Sequence, residues 1–452
     1  MPPVTPAPAA PPPLTTFDNL LGHRIIETHI WAVREGLRGA EAYDLFDGYC
    51  QRLVIDGVPL WRAHMAMATL HPQWDGYGFT WRRDLNAIHP EQYQHGGENE
   101  AIWVQSPFFD LIRRARAGEH EPSMRRRLEE GPQQRDFPVL VEFSALGASD
   151  YYGQLFPFGK DGDRSHGMGI VYSFTSDRKG GFGEDDMTLL HATLPALSLA
   201  MKADAGHVIA SGLLGAYLGE DAGRRVHAGA VQRGSVASLR AILWYADIRG
   251  FTLTSDAASG PVIVDLLNGV FEALTASLRE RGGQVLKFIG DAVLATFPLE
   301  GADDAETCRR ALDAADEALA SLETLSQERA AADLPVVSVD FALHLGEVLY
   351  GNVGATDRLD FTVIGPAVNE VARIEALCEP LGRKALVSAE FAAALGKGDG
   401  RLEPLGRHAL RGVREPKEIF AFAPGQGATS AGRKSGKDRA PGTGERDAPP
   451  PA

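Results

Sequence analysis

Cysteine is scarce in this chain: Cys50, Cys308 and Cys378 are the only three in 452 residues, far apart and with no CxxC pair. That pattern argues against a disulfide framework or a thiolate zinc site, and it fits a reducing compartment. Long apolar runs are also missing. The best candidate, Met187 to Met201, is short and carries His191 and Pro195, so no membrane-spanning helix is expected. Positive charge is in deficit, with 45 Lys and Arg against 60 Asp and Glu and a net charge of −15. This speaks against broad affinity for nucleic acid or an anionic membrane. An anionic substrate remains compatible, because a metal and a few basic residues can hold phosphate locally. The thirteen histidines show no HxH or HExxH spacing. The glycines of Leu345 to Gly354 are not followed by GKS or GKT, which excludes a P-loop. The Pro- and Ala-rich start has no basic residues before an apolar core and does not read as a signal peptide. A soluble, cytoplasmic protein is expected.

What is present divides the chain. At roughly 100–200 residues per domain, the length allows two or three, and 44% hydrophobic residues suffice for a sizeable core. Residues 1–17 and 425–452 are biased toward Pro, Ala, Gly, Ser and charge, and both are expected to be disordered. Residues 18–200 read as an α+β region. Helical patterns cover Leu20 to Gly36 and Ala40 to Asp56, and strands are expected at Phe137 to Gly147 and His166 to Asp177. Glu184, Asp185 and Asp186 then open a helix, where their charge suits the positive end of its dipole. A helix over 187–220 continues into a linker at 201–236. Leu190, Leu194, Leu197, Met201, Val208 and Leu218 form a stripe that suits either a short coiled coil or packing on its own domain. Trp74, Tyr77, Phe79, Trp81 and Trp103 could line a ligand pocket or serve as ordinary core aromatics. In its Phe182-x-x-x-Asp186 step followed by a long helix, this region resembles a GAF-like domain, which implies a sensor for an unidentified small-molecule or protein regulator.

From residue 237 to 424 the patterning is sharper. Ala241 to Asp247 is a buried-strand run, and Val262 to Gly283 has helical period with a Gly-Gly stop. Gln284 to Phe297 reads as two strands around the Gly290-Asp291 turn. A long amphipathic helix spans Asp303 to Asp333. A further strand begins at Val336 and runs into a glycine-rich turn, and Ala367 to Glu379 is helical. The order β-α-β-β-α-β predicts a split βαβ (ferredoxin-like) domain, an antiparallel sheet with two helices on one face. Asp247 at a strand end and Asp291 in the hairpin turn would be neighbours in that arrangement. Paired hard carboxylates suit Mg²⁺ or Mn²⁺.

Four blocks in this region, Trp244–Thr252, Leu286–Phe297, Ala342–Gly354 and Phe361–Leu377, resemble the signature motifs of the class III adenylate and guanylate cyclase family, in family order over about two-fifths of the chain. The resemblance implies two metal ions per active site, held by Asp247 and Asp291 with Ile248 beside them. It implies that Lys287 reads the purine edge. A lysine ammonium can only donate, and adenine N1 accepts where guanine presents a donor, so Lys287 favours ATP. Thr362 matches the second purine-reading position, where many members have Asp; this resembles the subclass called IIIb, in which bicarbonate stimulation is often seen. Asn369 would orient the ribose and Arg373 would bind charge on the α-phosphate. Arg411, or else Arg414, would hold the triphosphate.

In this family the metal aspartates come from one catalytic domain and the lysine, asparagine and arginine from another. A single chain carrying all of them implies a homodimer with shared sites and an adenylate cyclase regulated by the N-terminal region. Two alternatives stay open: a guanylate cyclase, opposed by Lys287, and a catalytically silent signal-binding protein, which would be expected to lack one of Asp247, Asp291, Asn369 or Arg373.

Overall fold

The computed structural model of the chain describes residues 20–85, 87–95, 100–159, 169–299, 303–396 and 399–422; the tails expected to be disordered lie outside them. The chain divides after Tyr217 into two compact units.

The first unit runs α1 (Leu20–Arg38), α2 (Ala42–Ile55), β1 (Leu60–Ala68), β2 (Trp74–Arg82), β3 (Ala87–Gln94), α3 (Glu100–Val104), α4 (Pro107–Arg116), β4 (Ser123–Arg127), α5 (Pro138–Ala145), β5 (Asp150–Pro157), β6 (Gly169–Ser176) and α6 (Glu184–Leu218). Its six strands form an antiparallel sheet in the order β3-β2-β1-β6-β5-β4. β6 is buried along its whole length. Ile170, Tyr172 and Phe174 face a core completed by Phe46, Tyr49, Leu190 and Leu194 of α2 and α6. Val171 faces the other side, against Phe108 and Leu111 of α4 and Leu140 and Phe143 of α5. A strand covered on both faces carries apolar residues on both, here Ile170, Val171, Tyr172 and Phe174, with Ser173, Thr175 and Ser176 buried among them; that apolar content made it readable in the sequence.

Phe137 to Gly147, expected as a strand, forms α5 instead. Pro138 occupies the first helical turn, where its missing N–H costs nothing, Leu140 and Phe143 are buried one turn apart, and Gly147 leaves the helix at φ +95°. In α6, Leu190, Leu194, Leu197 and Met201 pack into the unit's own core, so that part of the apolar stripe is used within the unit. The Phe182-x-x-x-Asp186 step has a definite role. Phe182 is buried, and Asp186 Oδ2 accepts hydrogen bonds from Gly183 N and Arg178 Nη2, both at 2.8 Å, pinning the start of α6. Of the aromatic patch, Trp81 is core, and Tyr77 and Phe79 pack against it, whereas Trp103 is exposed.

The second unit adds α7 (Glu220–His227), β7 (Val236–Arg249), α8 (Phe251–Ala257), α9 (Gly260–Glu280), β8 (Gln284–Ile289), β9 (Ala292–Pro298), α10 (Asp304–Ala331), β10 (Ser338–Gly354), β11 (Leu359–Ile364), α11 (Pro366–Glu375), β12 (Ala385–Ser388), α12 (Ala389–Leu395), β13 (Leu402–His408) and β14 (Lys417–Phe422). The strands follow the order β13-β14-β12-β10-β7-β9-β8, with β11 paired to β10. β7 lies inside the sheet, between β10 and β9. Its residues Ile242, Trp244, Ala246 and Ile248 meet α9 through Leu266, Val270, Leu274 and Leu278, and α10 through Ala311, Leu312 and Ala315. Ala241 and Leu243 face the other way, onto Val371 and Ile374 of α11. By length and composition α9 could cross a membrane, but its apolar stripe is the one that fills this core.

The stretch read as a strand followed by a glycine-rich turn is a single 17-residue strand, β10. Its glycines serve close approach: a Cβ at Gly351 would lie 2.1 Å from the carbonyl oxygen of Ser235, and its φ is +155°. A side chain there cannot be accommodated without moving the backbone.

Candidate functional site

Register brings the two aspartates together. In the β7–β9 pairing Ala246 faces Val293, so Asp247 lies beside the tight turn from β8 to β9. That turn needs Gly290 at φ +66° and presents Asp291. The two carboxylates are within hydrogen-bonding reach of each other, and the backbone N–H of Ile248 donates to Asp247. Ile248 itself points its side chain into the core, so only its backbone faces the pair.

The charges around this point are unequal in their compensation. Asp340 faces Asp247 across the β7–β10 ladder and is buried, but Arg249 grips it in a fork, Nε to Oδ2 at 2.8 Å and Nη2 to Oδ1 at 2.7 Å. Among the described residues, no ion pair forms with Asp247 or Asp291. Burial and then the Asp291 charge push Asp247 up to about 6. Glu375, at the end of α11, is pushed up to about 7 by burial and by Asp247 and Asp340. Tyr245 is pushed up to about 12 by burial and by Asp247, Glu375 and Asp291. Asp247, Glu375 and Tyr245 are raised because burial and the neighbouring negative charge both disfavour their ionised forms. Hard, mutually repelling carboxylates at a strand end and a rigid turn are what a divalent cation would neutralise. The donor set therefore fits Mg²⁺ or Mn²⁺.

A consequence for stability follows with a definite sign. Glu375 has its folded pKa near 7, raised from 4.5, so its carboxylate costs stability above pH 7, and the cost fades as pH falls toward 4.5 and below. In EDTA, Glu375→Gln is expected to raise the melting temperature by on the order of a few degrees at pH 8 and to leave it unchanged at pH 4. Calorimetry across that window measures it, and a gain independent of pH would contradict this account.

The remaining sequence-derived residues fall into two other groups. Lys287 on β8 forms an ion pair with Asp360 of β11. Thr362 lies two residues further along the same strand, on the same face as Asp360. Asn369 and Arg373 of α11 line a cavity of about 550 Å³, together with Gly365, Gly412 and Lys417. Arg373 lies close to Gly412, where a Cβ would come within 3.6 Å of its Nη2. Neither Arg411 nor Arg414 lines this cavity, and neither do Asp247 and Asp291. Within one chain the metal-type pair and the Asn369–Arg373 pair are thus separate. Asp360, Lys417 and Glu375 were missed by sequence reasoning. Lys417, in the Arg414-Glu-Pro-Lys-Glu-Ile stretch, had a basic charge as its signal, while Asp360 and Glu375 had none beyond proximity to the motifs.

Residues 238–423 match the family model of the adenylate and guanylate cyclase catalytic domain. An adenylate cyclase of Anabaena cylindrica is 36% identical over 163 residues, covering 35% of this chain and 31% of that protein. Adenylate cyclase 1 of Rhizobium meliloti is 30% identical over 179 residues, covering 39% and 26%. The chain thus spans less than a third of the length of these curated relatives. Among solved structures, a bacterial light-regulated adenylyl cyclase is 26% identical with a TM-score of 0.36, covering 41% of this chain and 91% of that one. The guanylyl cyclase Cya2 is 25% identical with a TM-score of 0.38, covering 43% and 97%. These matches all fall on the second unit, which is similar to the adenylate and guanylate cyclase catalytic domain over residues 238–423.

Proposed function

We propose that the second unit is an adenylate cyclase that converts ATP to 3′,5′-cyclic AMP and pyrophosphate at sites shared between two copies of the chain. The observation that carries this reading is the uncompensated Asp247–Asp291 pair within a cyclase domain, in a chain that also retains Lys287, Asn369 and Arg373. Asp247 and Asp291 would hold two Mg²⁺ or Mn²⁺ ions. When bound, these ions ease ionisation of the attacking hydroxyl and neutralise charge on the phosphates. The ribose 3′-oxygen forms a bond to the α-phosphorus, the α–β P–O bond breaks, pyrophosphate leaves with the electron pair, and the hydroxyl proton is released.

The chain's own groups set specificity and orientation. Lys287 donates to purine N1, which selects adenine over guanine. Asp360, by pairing with Lys287, aims that ammonium. The Thr362 hydroxyl accepts from the adenine amino group. Asn369 fixes the ribose, and Arg373 meets charge developing on the α-phosphate. For the triphosphate, Arg411 and Arg414 remain the candidates by sequence position. The separation of the two catalytic groups within one chain favours a homodimer, in which each site takes its aspartates from one protomer and Asn369 and Arg373 from its partner. The first unit would act as a GAF-like sensor upstream of this domain, its long α6 running up to the point of division; that reading is supported by its antiparallel sheet with helices packed on both faces.

Product analysis tests the assignment. The purified full chain with Mn²⁺ is given ATP and GTP separately, and cyclic AMP is expected as the dominant product. Cyclic GMP as the main product would overturn the substrate assignment. No cyclic nucleotide from either substrate, with Mn²⁺ or Mg²⁺, would overturn the enzyme.

A further inference from the structure

On the flank of the cavity, three potential ligands converge from three elements. His344 comes from β10, Glu370 from α11, and Glu390 from the first turn of α12, a helix whose start is fixed by Ser388 Oγ accepting from Phe391 N at 3.2 Å. The imidazole nitrogen and the two carboxylate oxygens lie within 4.8 Å of one another. His344 is only 4% exposed. Its Nδ1 is buried without a hydrogen-bond partner and points toward Glu390 Oε2 at 3.9 Å, too far for a hydrogen bond. A buried ring nitrogen left unpaired is unusual and calls for an explanation.

We propose that His344, Glu370 and Glu390 form a second divalent-cation site, separate from Asp247 and Asp291, of a chemistry suited to Zn²⁺ or Co²⁺. One imidazole and two carboxylates are a mixed N/O donor set, which zinc and cobalt accept and magnesium, an all-oxygen ion, does not favour. Tetrahedral bonds of roughly 2.0–2.2 Å require ligand atoms a little closer together than they now stand. Glu390, exposed at the helix start, can make that adjustment by rotating its side chain. Burial lowers the pKa of His344, against the opposing pull of Glu370 and Glu390 and with a further lowering from Lys417, a direction that favours the neutral, ligating imidazole.

The site has a built-in competitor. Lys417 Nζ lies 3.1 Å from Glu390 Oε1, as a hydrogen bond, and 3.0 Å from Glu370 Oε1, as a charge contact without hydrogen-bond geometry. Its ammonium now compensates the two carboxylates. The side chain is about one-third exposed, so it can swing away when a metal takes its place. A divalent ion and Lys417 therefore exclude each other. This separates a metal site from a plain ion-pair network, because removing the lysine must tighten metal binding in the first case and only loosen the structure in the second.

The test uses the full chain carrying Asp247→Ala and Asp291→Ala, so that the other carboxylate pair cannot contribute and no cyclase activity is needed as a readout. Co²⁺ is titrated and followed by its visible absorption, with Zn²⁺ added to displace it. One equivalent with the strong bands of a tetrahedral site is expected. Glu390→Gln and His344→Gln should each abolish the spectrum, and Lys417→Met should move the midpoint to several-fold lower cobalt. If His344→Gln does not fold by circular dichroism, Glu390→Gln, at an exposed position, carries the test. Absence of stoichiometric binding, a spectrum that survives Glu390→Gln, or no tightening in Lys417→Met would each overturn the site.

Discussion

Asp247→Ala and Asn369→Ala chains are each expected to lose at least ~10²-fold in cyclase activity, the usual size of losing a charge-stabilising group at a reacting centre, while a co-expressed mixture of the two recovers a substantial part. The reason is geometric. Asp247 and Asp291 sit at the β7 end and the β8–β9 turn, whereas Asn369 and Arg373 line a cavity that neither aspartate reaches. If each site combines the first group of one protomer with the second group of its partner, a heterodimer of the two variants has one intact site and one doubly defective site. Random assortment makes half the dimers mixed, and half the sites in those are intact, so about one quarter of wild-type activity should return in a two-fold symmetric assembly. Loss of folding is not the cause to fear in Asp247→Ala, because it removes one of two mutually repelling carboxylates; its melting temperature in EDTA should stay level or rise. A mixture no more active than the two variants measured apart would defeat the shared-site arrangement.

How much of this could be read from the sequence depended on whether the deciding interaction was local. The β8–turn–β9 hairpin was legible because its signals lie within fourteen residues: two apolar runs and a Gly-Asp turn between them. The covered strand β6 was legible because burial on both faces places apolar residues in succession, Ile170, Val171 and Tyr172, followed by Phe174. The same feature misled at Phe137 to Gly147, since a short apolar run fits a buried strand and a buried helical turn equally well. There Pro138 at the first turn and Gly147 after the last were the signals that mattered. β3 had no such signal; most of its residues are exposed, and only its pairing with β2 makes it a strand. At the site, Asp247 and Asp291 were legible as residues, but their lack of compensation was not. That depends on Arg249 being committed to Asp340, 91 positions away, and on no other cation arriving. The Lys287–Asp360 and Lys417–Glu390 pairs are contacts of the same long-range kind.

Helix α9 offers the second large effect. Its 21 residues span roughly 30 Å at about 1.5 Å per residue, enough to cross a bilayer, so its burial pattern carries the distinction. Leu274 is 1% exposed among Leu266, Val270 and Leu278, while Val264 on the same helix is 56% exposed. Asp265, beside Val264, is tied to Arg329 of α10 by an ion pair at 2.6 Å. A helix that packs on a sheet through one stripe should be sensitive along that stripe and indifferent off it. Leu274→Ala is therefore expected to cost about 2–5 kcal/mol, through lost burial and the cavity left behind. Val264→Ala should change stability by no more than about 0.5 kcal/mol. With two units in the chain, a single unfolding curve would mix their transitions. Hydrogen exchange of the β7 amides, which pair with both β9 and β10, reports the second unit alone. Faster exchange there in Leu274→Ala, with Val264→Ala indistinguishable from wild type, is the expected outcome. Equal acceleration by both substitutions would mean that the apolar stripe is not what holds this helix to the sheet, and the packing that positions Asp247 at the end of β7 would need another origin.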